Sequence, residues 1–482
     1  MKINELVKIL PEVISIDGPL NMEINSVVDD SRQVKEGALF VAVTGDNFDG
    51  HDFIPEVIKR GANAVIGEKP VSLAKDKTYI RVNDSRKALA ISSAWFYGFP
   101  GDKLRLIGVT GTSGKTTTTY LIRAMLEEVG ATSGVIGTIR NIIKDRELPT
   151  SFTTPGSLKL NELFSQMVEQ NVEYVVMEVS SHSLKLHRVE GLTFEVGVFT
   201  NLTQDHLDFH KTLEDYFWSK QKLFKQSKQA VINIDDKSGT RLLDIIDIPA
   251  TTYGIENPAH LMAQNIRQTM EGVYYDLVYQ DEKYPVFYGV PGRFSVYNSL
   301  SALAVGITLG FPIDSLINAL KKVKGVPGRF EPVENDKGFT VLVDYAHKPD
   351  SLKNVLLTIK EFCKGNIITV FGCGGDRDRE KRPIMGKIAT ELSDYTIITS
   401  DNPRSEDPEA IIRQIESGVV GRNYQKITDR RKAIQQALLM AKKGDTVLIA
   451  GKGHETYQII GDKKLHFDDK EVVKEFLSGG GL

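Results

Sequence analysis

Cysteine is nearly absent from this sequence: Cys363 and Cys373 are the two among 482 residues. Two thiols cannot build a disulfide framework or a thiolate cage for structural zinc, and they fit a reducing compartment. Long apolar runs are lacking too. No stretch approaches the roughly 18 apolar residues of a membrane span, and the opening stretch from Met1 to Leu6 carries Lys2 and Glu5. The expectation is a soluble, unprocessed, cytosolic chain with no membrane span. An excess of charge of one sign is also missing: 60 Lys and Arg stand against 63 Asp and Glu, a formal net charge of −3, with no long single-sign block. No nucleic-acid surface is indicated, and small-molecule partners are expected instead.

What is present is length and α/β rhythm. A single core stops growing near roughly 250 to 300 residues, so a chain of 482 should hold several domains. Pro/Gly-rich joints at Phe99-Pro100-Gly101 and at Gly325-Val326-Pro327-Gly328-Arg329 divide it into 1–100, 101–328 and 329–482. The first part alternates short apolar runs, such as 37–43, with polar turns. From 104 onward the pattern is an apolar strand (104–109), a Gly-rich turn (110–114) and helical spacing (115–129), followed by further strand-like runs at 174–177, 196–199 and 230–234. A mostly parallel α/β sheet is the economical reading. Past 329 the rhythm restarts, with runs at 340–344, 366–371, 395–400 and 445–450, as in an open, doubly wound, Rossmann-like sheet. Ligands then belong at the strand C-termini.

Gly111-Thr112-Ser113-Gly114-Lys115-Thr116-Thr117 lies between a predicted strand and a predicted helix. Backbone N–H groups there can wrap phosphates, Lys115 can neutralise terminal oxygens and Thr116 can ligate magnesium. The first glycine of a strict Walker loop would fall at Val109, so the match is not complete. Glu178 ends the apolar run 174–177, where a carboxylate could complete a magnesium shell; Ser180 beside it could equally be a helix cap. The stretch 201–210 is dense in ligand-type side chains, including Asp205 and His206, but Leu207 after His206 excludes the zinc-protease pattern. Magnesium near a phosphate is the better reading, with a structural histidine cluster as its alternative.

These pieces together resemble the Mur ligase family, whose ATP loop reads TGTxGKT, as residues 110–116 do here, without the first Walker glycine. The resemblance spans essentially the whole chain. It implies three α/β domains: an N-terminal UDP-binding domain, a central P-loop ATPase, and a C-terminal Rossmann-like domain that brings an amino acid. It implies an ATP-dependent ligase of peptidoglycan precursor synthesis, with ATP as co-substrate and Mg2+ as cofactor; a monomer is the expectation, which no residue pattern decides. By the same resemblance Ser31, in Asp30-Ser31-Arg32, meets the UDP moiety, and Thr153, Thr154, Ser180 and Arg188 face a UDP-N-acetylmuramoyl-L-Ala-D-Glu substrate. A guanidinium suits the glutamate carboxylates, which it can hold bidentately. Thr116, Glu178, His206 and Lys220 map to magnesium ligands, Lys220 as an N6-carboxylysine; Asn298, Arg329 and Asp344 map to nucleotide contacts.

The family's enzymes that add meso-diaminopimelate carry D-N-P-R, found here as Asp401-Asn402-Pro403-Arg404, and the resemblance adds Arg377, Gly451 and Glu455 to that pocket. Arg404 could receive the distal carboxylate that lysine lacks, and Glu455 the distal ammonium. A lysine-adding member, a folylpolyglutamate synthase and a P-loop switch protein are the alternatives. The synthase lacks both the separate N-terminal domain and D-N-P-R.

Overall fold

The protein is described from a computed structural model, covering residues 1–45 and 48–479. Three α/β units follow one another, each built on its own sheet. The first has five strands in the order Val13–Asp17, Thr78–Val82, Ala64–Gly67, Ala38–Val41, Ser26–Val28, parallel except at the Val13–Asp17 edge. Its strands 38–41 and 64–67 are buried at every position, as a sheet covered on both faces requires.

The central sheet has eleven strands. Its heart is parallel, in the order Ala250–Gly254, Ser227–Asn233, Phe194–Phe199, Arg105–Thr110, Tyr174–Glu178, Ser133–Ile136. The expected strands 104–109, 174–177, 196–199 and 230–234 all appear, and Arg105–Thr110 lies between the two that carry Glu178 and the 201–210 stretch. Val109 sits inside this strand, fully buried and paired with both Glu178 and Val198. The chain stays extended one step longer than in a strict Walker loop, so no glycine is needed there.

Antiparallel strands extend the sheet at both edges, Leu261–Thr269, Gly272–Tyr279 and Glu282–Tyr288 on one side, Asn141–Ile143 and Arg146–Leu148 on the other. The third unit is a six-stranded sheet in the order Glu331–Pro332, Thr340–Asp344, Thr446–Ala450, Ile367–Phe371, Tyr395–Ile398, Tyr424–Lys426, parallel except at its first strand, as the doubly wound reading expects.

The joints differ in kind. Pro100 and Gly101 are buried within a short 3-10 turn, Pro100–Lys103, and a side chain at Gly101 would strike Leu192. The first joint is thus a packed corner rather than an exposed linker. At the second, Gly328 adopts φ 67 against the backbone of Gly453 and His454, while Lys322 and Lys324 nearby are exposed. Among the described residues no helix is long and apolar enough to cross a membrane.

Candidate active site

The phosphate loop follows strand Arg105–Thr110 and opens helix Lys115–Glu128. Gly111 and Gly114 take φ 147 and 86; a Cβ would lie 1.9 Å from Thr200 Oγ1 at the first and 2.6 Å from Asn298 Oδ1 at the second. Both positions therefore need glycine, and Asn298 is placed against the loop. Asn201 clamps Ser113, accepting from its N–H at 2.9 Å and donating to its carbonyl at 3.1 Å. Thr117 lies half-buried in the helix's first turn.

Thr116 is a junction. Its hydroxyl donates to Glu178 Oε2 at 3.0 Å and accepts from Arg329 Nη2 at 3.0 Å, across from the third unit. Glu178 is buried and also accepts from the N–H and hydroxyl of Thr138. Thr138 in turn meets Thr153 at 3.0 Å between hydroxyls. Thr154 donates to Glu178 O at 2.8 Å and Arg188 Nη1 donates to Thr154 O at 2.9 Å. Ser180 accepts from Ser183 N–H and so caps helix Ser181–Lys185 while touching Thr154. Five expected residues, Thr153, Thr154, Glu178, Ser180 and Arg188, thus share one wall. Ser31 stands apart, on the short turn Ser31–Gln33 of the first unit.

Three lysine Nζ atoms hang on two loop carbonyls. Lys115 Nζ donates to Gly111 O at 2.9 Å and Thr112 O at 3.1 Å; Lys220 Nζ to Gly111 O at 2.8 Å; Lys348 Nζ to Thr112 O at 3.1 Å. Desolvation, then the Lys348 charge, lowers Lys115 to about 8. Lys220, fully buried over the ring of Tyr216, is held well below the ordinary lysine range by burial and then by Lys115 and Lys348. Asp205 stands opposite: burial pushes its carboxyl up, but Lys348 at 2.6 Å and His206 at 3.0 Å overcome this and hold it well below its usual value. His206 has left-handed backbone, φ 54, and burial lowers its pKa. Sequence reading passed over Lys348, four residues after the expected nucleotide contact Asp344.

The carboxylate of Glu178 beside the Thr116 hydroxyl suits magnesium, which takes few protein ligands and completes its shell with water and phosphate oxygens. Among the described residues no group of three or more His, Cys, Asp or Glu is placed to hold a metal by itself. Asp344 ends strand Thr340–Asp344, accepts from Phe330 N–H at 2.6 Å, and has its pKa raised by burial.

At the strand ends of the third unit, Asn402 is the hub. It donates to Glu455 Oε2 at 2.8 Å and accepts from Ile459 N–H at 2.9 Å and Lys452 Nζ at 3.3 Å. Fully buried Lys452 also reaches Glu455 at 3.0 Å, so the carboxylate expected to meet a substrate ammonium already has one cation beside it. Burial is the main force raising the Glu455 pKa. Gly451, φ 115, leaves room for Asp401 Oδ2, and Gly375 for Pro403 O. Arg404, φ 52, donates Nη1 to Gly375 O at 2.7 Å; Arg377 donates to Asp376 O, and burial and then Arg404 lower its pKa. Behind Asp401 and Glu455 lies buried Arg430, bidentate to Asp469 at 2.8 and 2.7 Å and donating to Ala450 O at 3.0 Å. Arg430 was missed by the sequence reading because its partner Asp469 is distant in the chain; Lys452 was passed over although Glu455, three residues on, was a local signal.

A phosphate loop in a parallel sheet, with a second α/β unit leaning on it and carrying its own polar pocket, defines a multidomain P-loop nucleotide-binding protein. Family models match along the chain: "Mur ligase family, catalytic domain" over 23–97, "Mur ligase middle domain" over 109–306 and "Mur ligase, glutamate ligase domain" over 328–453. The chain belongs to the Mur ligase family. It is 50% identical over 464 residues, 96% of each chain, to UDP-N-acetylmuramoyl-L-alanyl-D-glutamate–2,6-diaminopimelate ligase 1 of Clostridium acetobutylicum. It is 48% identical to the ligase of the same description from Clostridioides difficile strain 630, covering 99% of this chain and 100% of that one. A solved structure of a UDP-N-acetylmuramoyl-L-alanyl-D-glutamate–2,6-diaminopimelate ligase matches with TM-score 0.71 at 33% identity over 100% of this chain and 99% of the other.

Proposed function

We propose that this chain joins meso-2,6-diaminopimelate to UDP-N-acetylmuramoyl-L-alanyl-D-glutamate, with conversion of ATP to ADP and phosphate, in peptidoglycan precursor synthesis. The observation that carries the choice of amino acid is the pair Arg404 and Arg377, whose described hydrogen bonds go to carbonyls while their guanidiniums stand near each other at the strand ends. Two neighbouring cations that lean only on carbonyls suit an incoming carboxylate. Family membership and the named relatives point the same way.

A carboxylate does not condense with an amine unaided. In the reaction that this site suits, an oxygen of the D-glutamate side-chain carboxylate attacks the ATP γ-phosphorus, the bond to ADP breaks, and an acyl phosphate forms. The diaminopimelate amine then attacks the acyl carbon, a C–N bond forms, phosphate leaves and the amine gives up a proton. The protein's part is positioning and charge neutralisation. Gly111 to Thr117 and Lys115 hold the phosphates; Asn298, Arg329 and Asp344 meet the nucleotide. Ser31 meets UDP, and the wall of Thr153, Thr154, Ser180 and Arg188 holds the muramoyl-dipeptide. Arg377, the stretch Asp401 to Arg404, Gly451 and Glu455 hold diaminopimelate.

Thr116, Glu178, His206 and Lys220, the last as its carbamate, would hold Mg2+, which supplies charge neutralisation when bound. Carbamate formation needs a neutral amine, and the buried Lys220 with its depressed pKa meets that need. Domain limits at 1–100, 101–328 and 329–482, a cytosolic setting and a monomeric state complete the proposal.

The test is phosphate release with UDP-muramoyl-dipeptide and ATP, comparing diaminopimelate with lysine. Release that depends on diaminopimelate is expected; equal or greater release with lysine would overturn the assignment.

A further inference from the structure

Lys348 precedes helix Pro349–Phe362 of the third unit, yet its side chain ends in the central one. It is 11% exposed, and its ammonium lies 2.6 Å from Asp205 Oδ2 and 3.1 Å from Thr112 O. Because Lys115 Nζ lies at the same distance from the same carbonyl, the two nitrogens are within about 6 Å of each other. First, Lys115, Lys220 and Lys348 gather on the carbonyls of Gly111 and Thr112, and Arg329 reaches the next residues of the loop at Thr116. Second, the anions in their midst are Asp205, shared with His206, Glu178, bonded to Thr116 and Thr138, and Lys220 once carbamylated, so Lys115, Lys348 and Arg329 are the cations that remain to face the phosphates. Third, a carbonyl oxygen is a weak partner for an ammonium compared with a phosphate oxygen.

The first turn of the same helix also touches the loop, with Ser351 Oγ 3.4 Å from Ser113 Oγ, so its N-terminal dipole adds to the field there.

We propose that Lys348 is a further catalytic residue: a phosphate-contacting cation delivered across the domain boundary, which leaves the Thr112 carbonyl for a terminal oxygen of bound ATP while Asp205 keeps hold of its ammonium. The inference rests on the proposed function and deepens it. Its consequence is that the full charge complement around the phosphoryl group exists only when the third unit is seated on the loop. Closure and phosphoryl transfer are then tied through one side chain.

The test uses the full chain with Lys348→Gln, which keeps a donor for Asp205 but removes the charge, and Lys348→Arg. Affinity is read with a non-hydrolysable ATP analogue and with ADP, and kcat and KM with all three substrates. For Lys348→Gln, kcat/KM for ATP should fall by about 100-fold. Affinity for the analogue should fall at least about tenfold with ADP unchanged, and Lys348→Arg should recover most of both. The KM for muramoyl-dipeptide should stay within about threefold of wild type. Analogue affinity and kcat/KM unchanged in Lys348→Gln would overturn the inference. So would an Arg variant as impaired as the Gln variant, which marks a packing role. If the wild-type chain shows no diaminopimelate-dependent phosphate release, the proposed function fails instead, and the analogue-to-ADP comparison still decides the role of the lysine.

Discussion

Arg404 and Lys452 are cations of one pocket used in opposite ways. Lys452 is wholly buried and paired with Glu455, so its charge is spent within the protein and shapes the pocket floor. Arg404 leans on the Gly375 carbonyl, which leaves its charge for a ligand. Truncating one member of a desolvated charge pair costs about 2–5 kcal/mol, largely because the other member is left unpaired. Arg404→Ala should therefore lower kcat/KM for diaminopimelate by about 100-fold or more, with KM for ATP within about threefold of wild type. Steady-state assays varying each substrate in turn check this, and an unchanged preference for diaminopimelate over lysine would remove Arg404 from the specificity argument. A chain without the guanidinium also loses its means of rejecting lysine, since nothing is left unsatisfied when the distal carboxylate is missing.

At the level of elements, turn 326–329 is fixed by contact as well as by conformation. Gly328 sits at φ 67, its Cβ position is 2.1 Å from His454 N, and its carbonyl accepts from Tyr345 N–H at 2.9 Å. Gly328→Ala must push away the loop at Gly453 and His454, just past strand Thr446–Ala450. A loss of about 1–3 kcal/mol of stability is expected from the strained backbone, together with a raised KM for diaminopimelate. Thermal melts and substrate titrations measure the two, and a wild-type KM would show that the turn and the pocket are independent.

Such tight contacts mark the limit of what sequence shows. Loop 110–116 and strands 105–110 and 174–178 were legible because glycine, lysine and apolar periodicity are local signals. So was Asp401 to Arg404, four consecutive residues at a strand end. Lys348 and Arg430 were not, since an ammonium 236 residues from its acceptor and a guanidinium 39 residues from its carboxylate acquire meaning only in three dimensions. The antiparallel edge 261–288 was passed over although a signal exists: Val273, Tyr275 and Leu277 are buried and alternate with the less buried Tyr274 and Asp276, the period of a strand with one face covered.

Across the whole molecule the two outer units are attached differently. The first docks through apolar groups: Leu158 joins its core, Ile91 packs at Gly191, and the corner at Gly101 meets Leu192 and Phe164. The third docks by charge and hydroxyl contacts around the phosphate loop and also through Phe330, which packs against Phe294 and lies in one apolar cluster with the central unit. Motion is expected where the contacts are polar and the connecting backbone is exposed. Trypsin should therefore cut first at Lys322 or Lys324 and only later at Lys103, whose segment is a hydrogen-bonded 3-10 turn, and a bound ATP analogue should slow the first cut. Mass spectrometry of the early fragments reads the order, and a first cut at Lys103 would reverse the assignment of the mobile joint. The buried pair of Arg430 and Asp469 carries a different lesson, for anyone wishing to transplant specificity between relatives. Asp401 to Arg404 is backed by Arg430, by Lys452 with Glu455, and by the helix that begins at Asp469, so a graft of the four-residue motif alone would arrive in its new host without its foundations.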